Sequence, residues 1–190
     1  NSDLDFGTGD FCVMGWVNTP DTGATNTSIF MRSGATGLGA FRIRSRQGKF
    51  GFWVSDDGTS TIDEVFGTTD IDNSTWCFVS AVKNGSNILV YVNGTLEATT
   101  VLSNATGSLS SADAVSRIGL STAGSEPWLG SLALLRISGT APTASQIAKI
   151  YNDEKVLFQE NAGAVLAGTS DAVTALAHDD ATDLLHVGTS

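Results

Sequence analysis

Residues 76–100 constrain the fold more than any other stretch, because they predict three consecutive antiparallel strands joined by two Asn-Gly turns. The Asn-Gly pair at 93–94 supplies the positive φ angles that a tight hairpin turn requires. The pair at 84–85 marks a second, looser corner. The tight turn sets Val92 opposite Thr95 in the predicted register.

The middle strand of this block is apolar on both of its faces. Its side chains alternate, so that one side of the sheet receives Ile88, Val90 and Val92 and the other receives Leu89 and Tyr91. A strand that is apolar on both sides is typical of a sheet that is covered on both faces. We therefore expect a packed layer on each side of this strand.

Short strands separated by turn signals fill most of the chain around this block. Further strands are predicted at residues 11–17, 28–32, 40–46, 50–55, 61–66, 116–120 and 130–138. Strands at this spacing, without helical periodicity between them, predict an all-β fold, either a two-sheet antiparallel sandwich or a barrel.

A helix is predicted to follow the last of these strands. Thr143 and Gln146 form a capping box, and the apolar residues after them recur at helical spacing over residues 144–158. The stripe expected to pack on the strands consists of Ile147, Ile150, Tyr151, Leu157 and Phe158, with Glu154 as its one polar member.

The C-terminal residues have a pattern of their own. Alternation over residues 173–178, a turn-prone segment at 179–183 and an apolar run at 184–188 predict a short β-hairpin. Since a lone two-stranded hairpin is marginal in water, we expect it to pack on an exposed sheet edge, on another copy of the chain or on a following domain. The predicted organisation is thus one domain over residues 1–160 and a tail over residues 161–190.

Composition excludes several classes of function. A net charge of −10 argues against nucleic acid as a partner, because phosphate affinity rests on clustered Lys and Arg. Membrane insertion is not expected, since no apolar run reaches the roughly 18 residues that a spanning helix needs. Cys12 and Cys77 are too few for a zinc site and are expected to be two buried thiols, with a cross-strand disulfide as the alternative.

An unusual group of side chains lies on the predicted hairpin of residues 40–55. Arg42, Arg44 and Arg46 alternate with other residues and so share one face, and pairing across the turn sets Arg42 opposite Trp53. A guanidinium row beside an indole can hold sulfate or carboxylate groups while a sugar ring stacks on the tryptophan. The alternative is a solvated face whose arginines meet nearby aspartates and shield Trp53.

Three further residues are candidates for binding. Asp56 and Asp57 could supply oxygen ligands to calcium, although an Asp-Gly pair is first of all turn chemistry. Trp128 follows a proline on a loop and could be either a platform for a sugar or a buried anchor. The chain has no dinucleotide-binding loop, P-loop, Gly-x-Ser-x-Gly or His-Glu-x-x-His motif, so we do not expect an enzyme.

Several of these motifs occur in the order found in a known family. They are Trp76, Leu-Val-Tyr-Val-Asn-Gly at 89–94, Ile-Gly at 118–119, Trp-Leu-Gly-Ser at 128–131, Arg-Ile at 136–137 and the helix start at 143–151. Over roughly residues 6–152 the chain resembles a concanavalin A-like jelly roll of the laminin-G-like, pentraxin-like kind. The resemblance implies two antiparallel sheets of six or seven strands with a closing helix. Copies with this style of helix and tail are similar to modules in tail-fibre and other virion proteins of bacteriophages.

The resemblance also bears on function. It implies carbohydrate or surface recognition more often than catalysis, and the Glu-x-Asp-x-x-Glu strand of the superfamily's glucanases is absent. An acidic pair of the family is replaced by Ala133 and Leu134, which removes one possible calcium site. No cofactor is expected, and calcium at Asp56 and Asp57 is left open.

The function expected from these observations is non-catalytic recognition of a glycan or cell-surface receptor within a virion or extracellular assembly. Neighbouring virion subunits are further expected partners, and a homo-oligomer such as a trimer is left open. One alternative is a structural or decoration domain of a virion protein that makes only protein-protein contacts. A glucanase-like hydrolase is a more distant alternative.

Overall fold

The computed structural model describes residues 2–21, 26–34, 40–57, 60–111, 113–121, 125–159, 173–179 and 184–189. The chain divides into two compact units, Asn1–Gln159 and Glu160–Ser190. The described strands of the first unit are β1 (Phe11–Asn18), β2 (Asn26–Ser33), β3 (Ala40–Arg46), β4 (Lys49–Ser55), β5 (Ile62–Asp70), β6 (Cys77–Asn84), β7 (Asn87–Val92), β8 (Thr95–Val101), β9 (Val115–Ile118) and β10 (Ser131–Ser138). A 3-10 turn, Ser2–Leu4, precedes them, and helix α1 (Ala144–Glu154) follows and continues into a second 3-10 turn, Lys155–Phe158.

The strands form two five-stranded antiparallel sheets, as expected for a jelly-roll sandwich. The first sheet has the order β10-β1-β6-β7-β8, and the second has the order β5-β4-β3-β2-β9. The predicted all-β sandwich with a closing helix is therefore confirmed. Each sheet contains five of the described strands, fewer than the six or seven that the family resemblance implies.

The register of the β7–β8 hairpin follows from its Asn-Gly turn. Asn93 and Gly94 have φ angles of 49° and 77°, and Val92 pairs with Thr95 as predicted. Among the predicted strand ends, the largest error is at β5, which continues to Asp70 although the sequence predicts an end at residue 66. It is longer because β4 and β5 resume pairing beyond an irregularity in the ladder.

Two layers of buried side chains cover the first sheet, one on each face. The layer between the sheets includes Ile88, Val90 and Val92. The layer beneath the helix includes Tyr91 and Ile147, with Leu89 packed against it. The prediction that β7 is covered on both sides is therefore confirmed.

The helix begins as the sequence predicts. The amide of Thr143 donates to Gln146 Oε1 at 2.8 Å, and the amide of Gln146 donates to Thr143 Oγ1 at 3.3 Å, which is the expected capping box. Ile147 is fully buried, but Leu157 is 68% exposed, so the predicted apolar stripe is wrong at that residue. The α-helix ends at Glu154, and the tighter 3-10 turn after it rotates later side chains away from a 3.6-residue period.

Glu154, the polar residue of the stripe, links the helix to the first sheet. Its carboxylate accepts hydrogen bonds from Trp16 Nε1 at 2.8 Å and from Arg136 Nη2 at 2.9 Å. Burial raises the pKa of the Glu154 carboxyl, but the hydrogen bonds from Arg136 and Trp16 lower it by more, so that it lies below its usual value. Phe158 adds a stacked contact, with its ring centroid 4.2 Å from that of Trp16.

The two cysteines are free and buried, as expected. They lie on the neighbouring strands β1 and β6, but Cys12 pairs with Val82 and Cys77 with Val17. Cys12 packs in the layer beneath the helix, whereas Cys77 packs between the sheets. Because the two side chains point to opposite faces of the sheet and lie far apart along the paired strands, they cannot form the alternative disulfide.

In the second unit, β11 (Val173–Asp179) pairs antiparallel with β12 (Leu184–Thr189). The predicted tail hairpin is therefore present, while its turn at residues 180–183 lies outside the described residues. Its packing on a sheet edge, another copy or a further domain stays a prediction. Among the described helices, none has the length and apolar character that crossing a membrane would require.

Candidate functional site

The candidate site lies on the outward face of the second sheet, on the β3–β4 hairpin. The predicted pairing is confirmed, with Arg42 opposite Trp53 and Arg44 opposite Gly51. Phe41 and the alternate residues after it point into the core, which directs the three arginines of β3 outward. We call the surface formed by Arg42, Arg44, Arg46 and Trp53 the arginine face.

A glycine allows an aromatic ring to lie beneath two of these arginines. Gly51 pairs with Arg44 on one side and with Phe66 of β5 on the other. A Cβ at Gly51 would collide with the Phe66 ring, so only glycine lets the ring lie across the strand. The guanidinium carbons of Arg44 and Arg46 sit 5.4 and 5.6 Å from the centre of that ring, at cation–π distance.

Carboxylates of the chain pair with every arginine of this face. Arg42 Nη2 lies 2.6 Å from Glu126 Oε2, and Arg44 Nη2 lies 2.6 Å from Glu64 Oε2. Arg46 Nη1 approaches the other oxygen of Glu64 at 3.4 Å. The solvated-face alternative is thus correct in that the arginines have acidic neighbours, although these are glutamates instead of aspartates. Glu64 pairs with both Arg44 and Arg46. Because one carboxylate offsets two guanidinium groups, the arginine face keeps a net positive charge.

Arg42 is the most buried member of the arginine face, with only 8% of its surface exposed. Burial lowers the pKa of its guanidinium, and the charge of Glu126 counteracts that effect. Its Nε has no hydrogen-bond partner among the described residues, and neither does Arg44 Nε. The contact between Arg42 Nη2 and Glu126 Oε2 at 2.6 Å is an ion pair, so the Nε atoms of Arg42 and Arg44 are the buried donors that still lack an acceptor among the described residues.

Arg42 and Arg44 border a cavity of about 180 Å³ whose other lining residues are Met31 and Trp53. Trp53 is half-buried and presents its indole as one wall. Three of the five predicted ligand-binding residues therefore meet at one cavity. Arg46 is not part of its lining, and its side chain is 48% exposed.

The fifth predicted ligand-binding residue lies in the core. Trp128 is 9% exposed and packs among the buried side chains between the sheets, and its Nε1 donates to the carbonyl of Ser131 at 3.4 Å. Of the two alternatives for Trp128, the structure therefore favours the buried anchor over the sugar platform.

The two aspartates considered for calcium organise loops instead. Asp57 accepts hydrogen bonds from the amides of Ser60 and Thr61 at 2.9 and 3.0 Å. Asp56 accepts from the amide of Gly107 at 2.7 Å and from the hydroxyl of Thr61. Within the described part of the chain, no group of three or more His, Cys, Asp or Glu is arranged to hold a metal ion. Calcium at Asp56 and Asp57 stays a prediction.

The residues that sequence reasoning missed are the acidic partners and Met31. Glu64 lies opposite Trp53 and directly beside the arginine face. Glu126 lies between β9 and β10, far from β3 along the chain. A register for β4 and β5 would have revealed Glu64, whereas no local signal indicates Glu126.

Solved structures of low sequence identity share this fold. A heptameric SAP-like pentraxin from Limulus polyphemus has a TM-score of 0.59 at 17% identity, over 75% of this chain and 69% of that one. The binding domain of botulinum neurotoxin serotype G has a TM-score of 0.61 at 12% identity, over 81% of this chain, which spans only 39% of that domain. The CBM40 of a Ruminococcus gnavus IT-sialidase, bound to α2,3-sialyllactose, has a TM-score of 0.61 at 13% identity, over 75% of this chain and 82% of that one.

Sequence comparison establishes the family. No curated protein matches the chain. A family model, Laminin_G_3 of the concanavalin A-like lectin/glucanases superfamily, matches residues 1–148, which is more than half of the chain. The two-sheet sandwich with its closing helix agrees with that match. The chain belongs to the Laminin_G_3 family of the concanavalin A-like lectin/glucanases superfamily.

Proposed function

We propose that the protein is a non-catalytic recognition module that binds an acidic saccharide at the arginine face, within an extracellular or virion assembly. The observation that carries this proposal is the set of buried N–H donors on Arg42 and Arg44 that have no hydrogen-bond partner among the described residues. A buried donor without a partner costs about 1–3 kcal/mol, so a ligand that supplies acceptors recovers that free energy. The two arginines that carry these donors line one cavity together with Trp53.

The charges and shape of the cavity suit an anionic sugar. Arg44 and Arg46 share the single carboxylate of Glu64, so the face keeps a positive charge for a sulfate or carboxylate group. The half-buried indole of Trp53 offers a flat apolar surface on which a sugar ring can stack. Recognition by a few placed donors and one aromatic wall needs no catalytic group.

Proteins of similar fold support a glycan as the ligand class. The CBM40 structure contains α2,3-sialyllactose, and cell entry of botulinum neurotoxin type C depends on interaction with two ganglioside molecules. These ligands belong to the two neighbouring proteins, and they make saccharide the first class of ligand to test on this chain.

Arg44→Ala is expected to weaken binding of sulfated or uronic oligosaccharides by at least about tenfold, the effect of losing one charge-assisted hydrogen bond. The measurement is isothermal titration calorimetry against the wild type. Lys149→Ala is the matched control, because it removes an equal charge from the exposed face of α1 and should leave affinity unchanged. Binding should weaken with added salt, since exposed charges are screened within about 8 Å at physiological ionic strength. Equal affinities for wild type and Arg44→Ala would remove the assignment.

A second candidate function is a structural domain that makes only protein-protein contacts. The observation that favours it is a set of exposed apolar side chains on edge strands, with Val101 of β8 64% exposed and Ile118 of β9 62% exposed. Light scattering of the full chain distinguishes the two functions. A structural role predicts concentration-dependent association that Val101→Lys or Ile118→Lys abolishes, with no saccharide bound.

A further inference from the structure

The proposed saccharide site already contains a carboxylate that belongs to the chain. Glu126 Oε2 lies 2.6 Å from Arg42 Nη2. The backbone at Glu126 is held in place, because its carbonyl accepts a hydrogen bond from the amide of Ser28 at 2.9 Å. Glu126 does not line the cavity, so its carboxylate reaches Arg42 from beside the space that a ligand would occupy.

Arg42 is incompletely satisfied by this carboxylate. Nε and Nη2 lie on the same edge of a guanidinium, and the spacing of their N–H groups matches the two oxygens of one carboxylate. On Arg42, Nε has no hydrogen-bond partner among the described residues, whereas Nη2 is in close contact with a single oxygen of Glu126. A carboxylate that faced this edge squarely would satisfy both donors, which Glu126 does not do from its present position.

The two partners of this ion pair differ in their exposure to solvent. The side chain of Arg42 is 9% exposed, whereas that of Glu126 is 29% exposed. The guanidinium of Arg42 is therefore largely shielded from solvent. Glu126 already touches solvent, so its carboxylate can be hydrated after a small rotation of its side chain. Displacement of Glu126 is therefore the less costly way to free Arg42.

We propose that Glu126 is an internal competitor at the arginine face, and that a ligand carboxylate on a single sugar ring displaces it by taking the Nε and Nη2 edge of Arg42. The cavity volume of about 180 Å³ suits a group of the size of one sugar ring. The inference rests on the proposed function and deepens it, because it names the ligand group and the residue that sets its affinity.

Removal of the competitor should increase affinity for a carboxylated sugar. Glu126→Gln is expected to bind methyl glucuronoside about tenfold more tightly than the wild type, as measured by calorimetry. The matched control is Asp70→Asn, which removes an equal charge from the salt bridge with Lys49 on the same sheet without touching the cavity. It should change affinity less than about twofold. Neutral methyl glucoside should bind weakly and equally to wild type and Glu126→Gln.

The outcomes separate this inference from the proposed function. If Glu126→Gln binds methyl glucuronoside no better than the wild type, while binding still depends on Arg44, Glu126 is not a competitor and the proposed function stands. If neither uronic nor sulfated sugars bind to either protein, both proposals are wrong. If Glu126→Gln does not fold, the wild type decides the question with methyl glucuronoside and its methyl ester. The inference requires the ester to bind at least about tenfold more weakly, and equal binding overturns it.

Discussion

Val90→Asp is expected to unfold the sandwich instead of altering its surface. Val90 is fully buried between the sheets, where it pairs with Ala81 on one side and Ala98 on the other. An unpaired carboxylate at such a position costs several kcal/mol. That cost is comparable to the whole stability of a domain, which is about 5–15 kcal/mol.

Thermal unfolding followed by circular dichroism tests this expectation. Val115→Asp is the matched control, because it introduces the same carboxylate on edge strand β9, where Val115 is 49% exposed. Its stability should stay within about 0.5 kcal/mol of the wild type. A soluble Val90→Asp protein with an unchanged melting temperature would show that β7 does not lie between two packed layers.

Asp63→Asn is expected to destabilise the sandwich by about 2–4 kcal/mol, because Asp63 anchors the loop that follows β8. The Asp63 side chain is buried on β5, and one of its oxygens accepts from the amides of Ser103, Asn104 and Ala105 at 3.1, 2.9 and 2.8 Å. An asparagine keeps the shape but loses the charge, and its NH₂ group must take the place of the other oxygen, where it meets the donor Asn104 Nδ2.

The effect of Asp63 should depend on pH. Burial raises the pKa of this carboxyl, but the hydrogen bonds from Ala105, Asn104 and Ser103 lower it by more, so the pKa in the folded state lies below its usual value. Its contribution to the free energy of unfolding is therefore fully present above the ordinary aspartate pKa of about 3.9. It is lost as the pH falls through the lowered pKa of the folded state.

Urea titrations at pH 7 and at pH 3 measure this difference. Asp153→Asn serves as the control, because Asp153 is an exposed member of a helix ion pair with Lys149 and is worth less than about 0.5 kcal/mol. If Asp63→Asn and Asp153→Asn are equally stable at pH 7, the hydrogen bonds to the loop do not stabilise the fold.

The parts of the fold that the sequence predicts well are those determined by neighbouring residues. The turn at Asn93 sets the β7–β8 register, and the turn after Arg46 sets the pairing of Arg42 with Trp53. The capping box at Thr143 likewise marks the helix start. In each case the deciding contacts are a few residues apart, so local geometry is sufficient.

The parts that the sequence does not predict depend on contacts between distant residues. Asp63 and Glu64 are adjacent and point to opposite faces, but which loop meets Asp63 and which arginines meet Glu64 depends on the stacking order of the strands. Glu126 comes from between β9 and β10 and reaches Arg42 beside Ser28 of β2, far from both along the chain. Electrostatic pairing of this kind has no periodicity and so leaves no signal in a single sequence.

The two buried cysteines can serve as chemical probes of local opening in the sandwich. Burial raises the pKa of the Cys12 thiol to about 11 and raises that of Cys77 as well. The thiolate is the form that reacts with alkylating reagents, so burial and the raised pKa both protect the two cysteines in the folded state. Because the two thiols lie in different layers, their alkylation rates report separately on opening between the sheets and opening beneath the helix. Equal rates would mean that both layers separate in one cooperative event, whereas faster labelling of Cys12 would mean that the helix lifts away first.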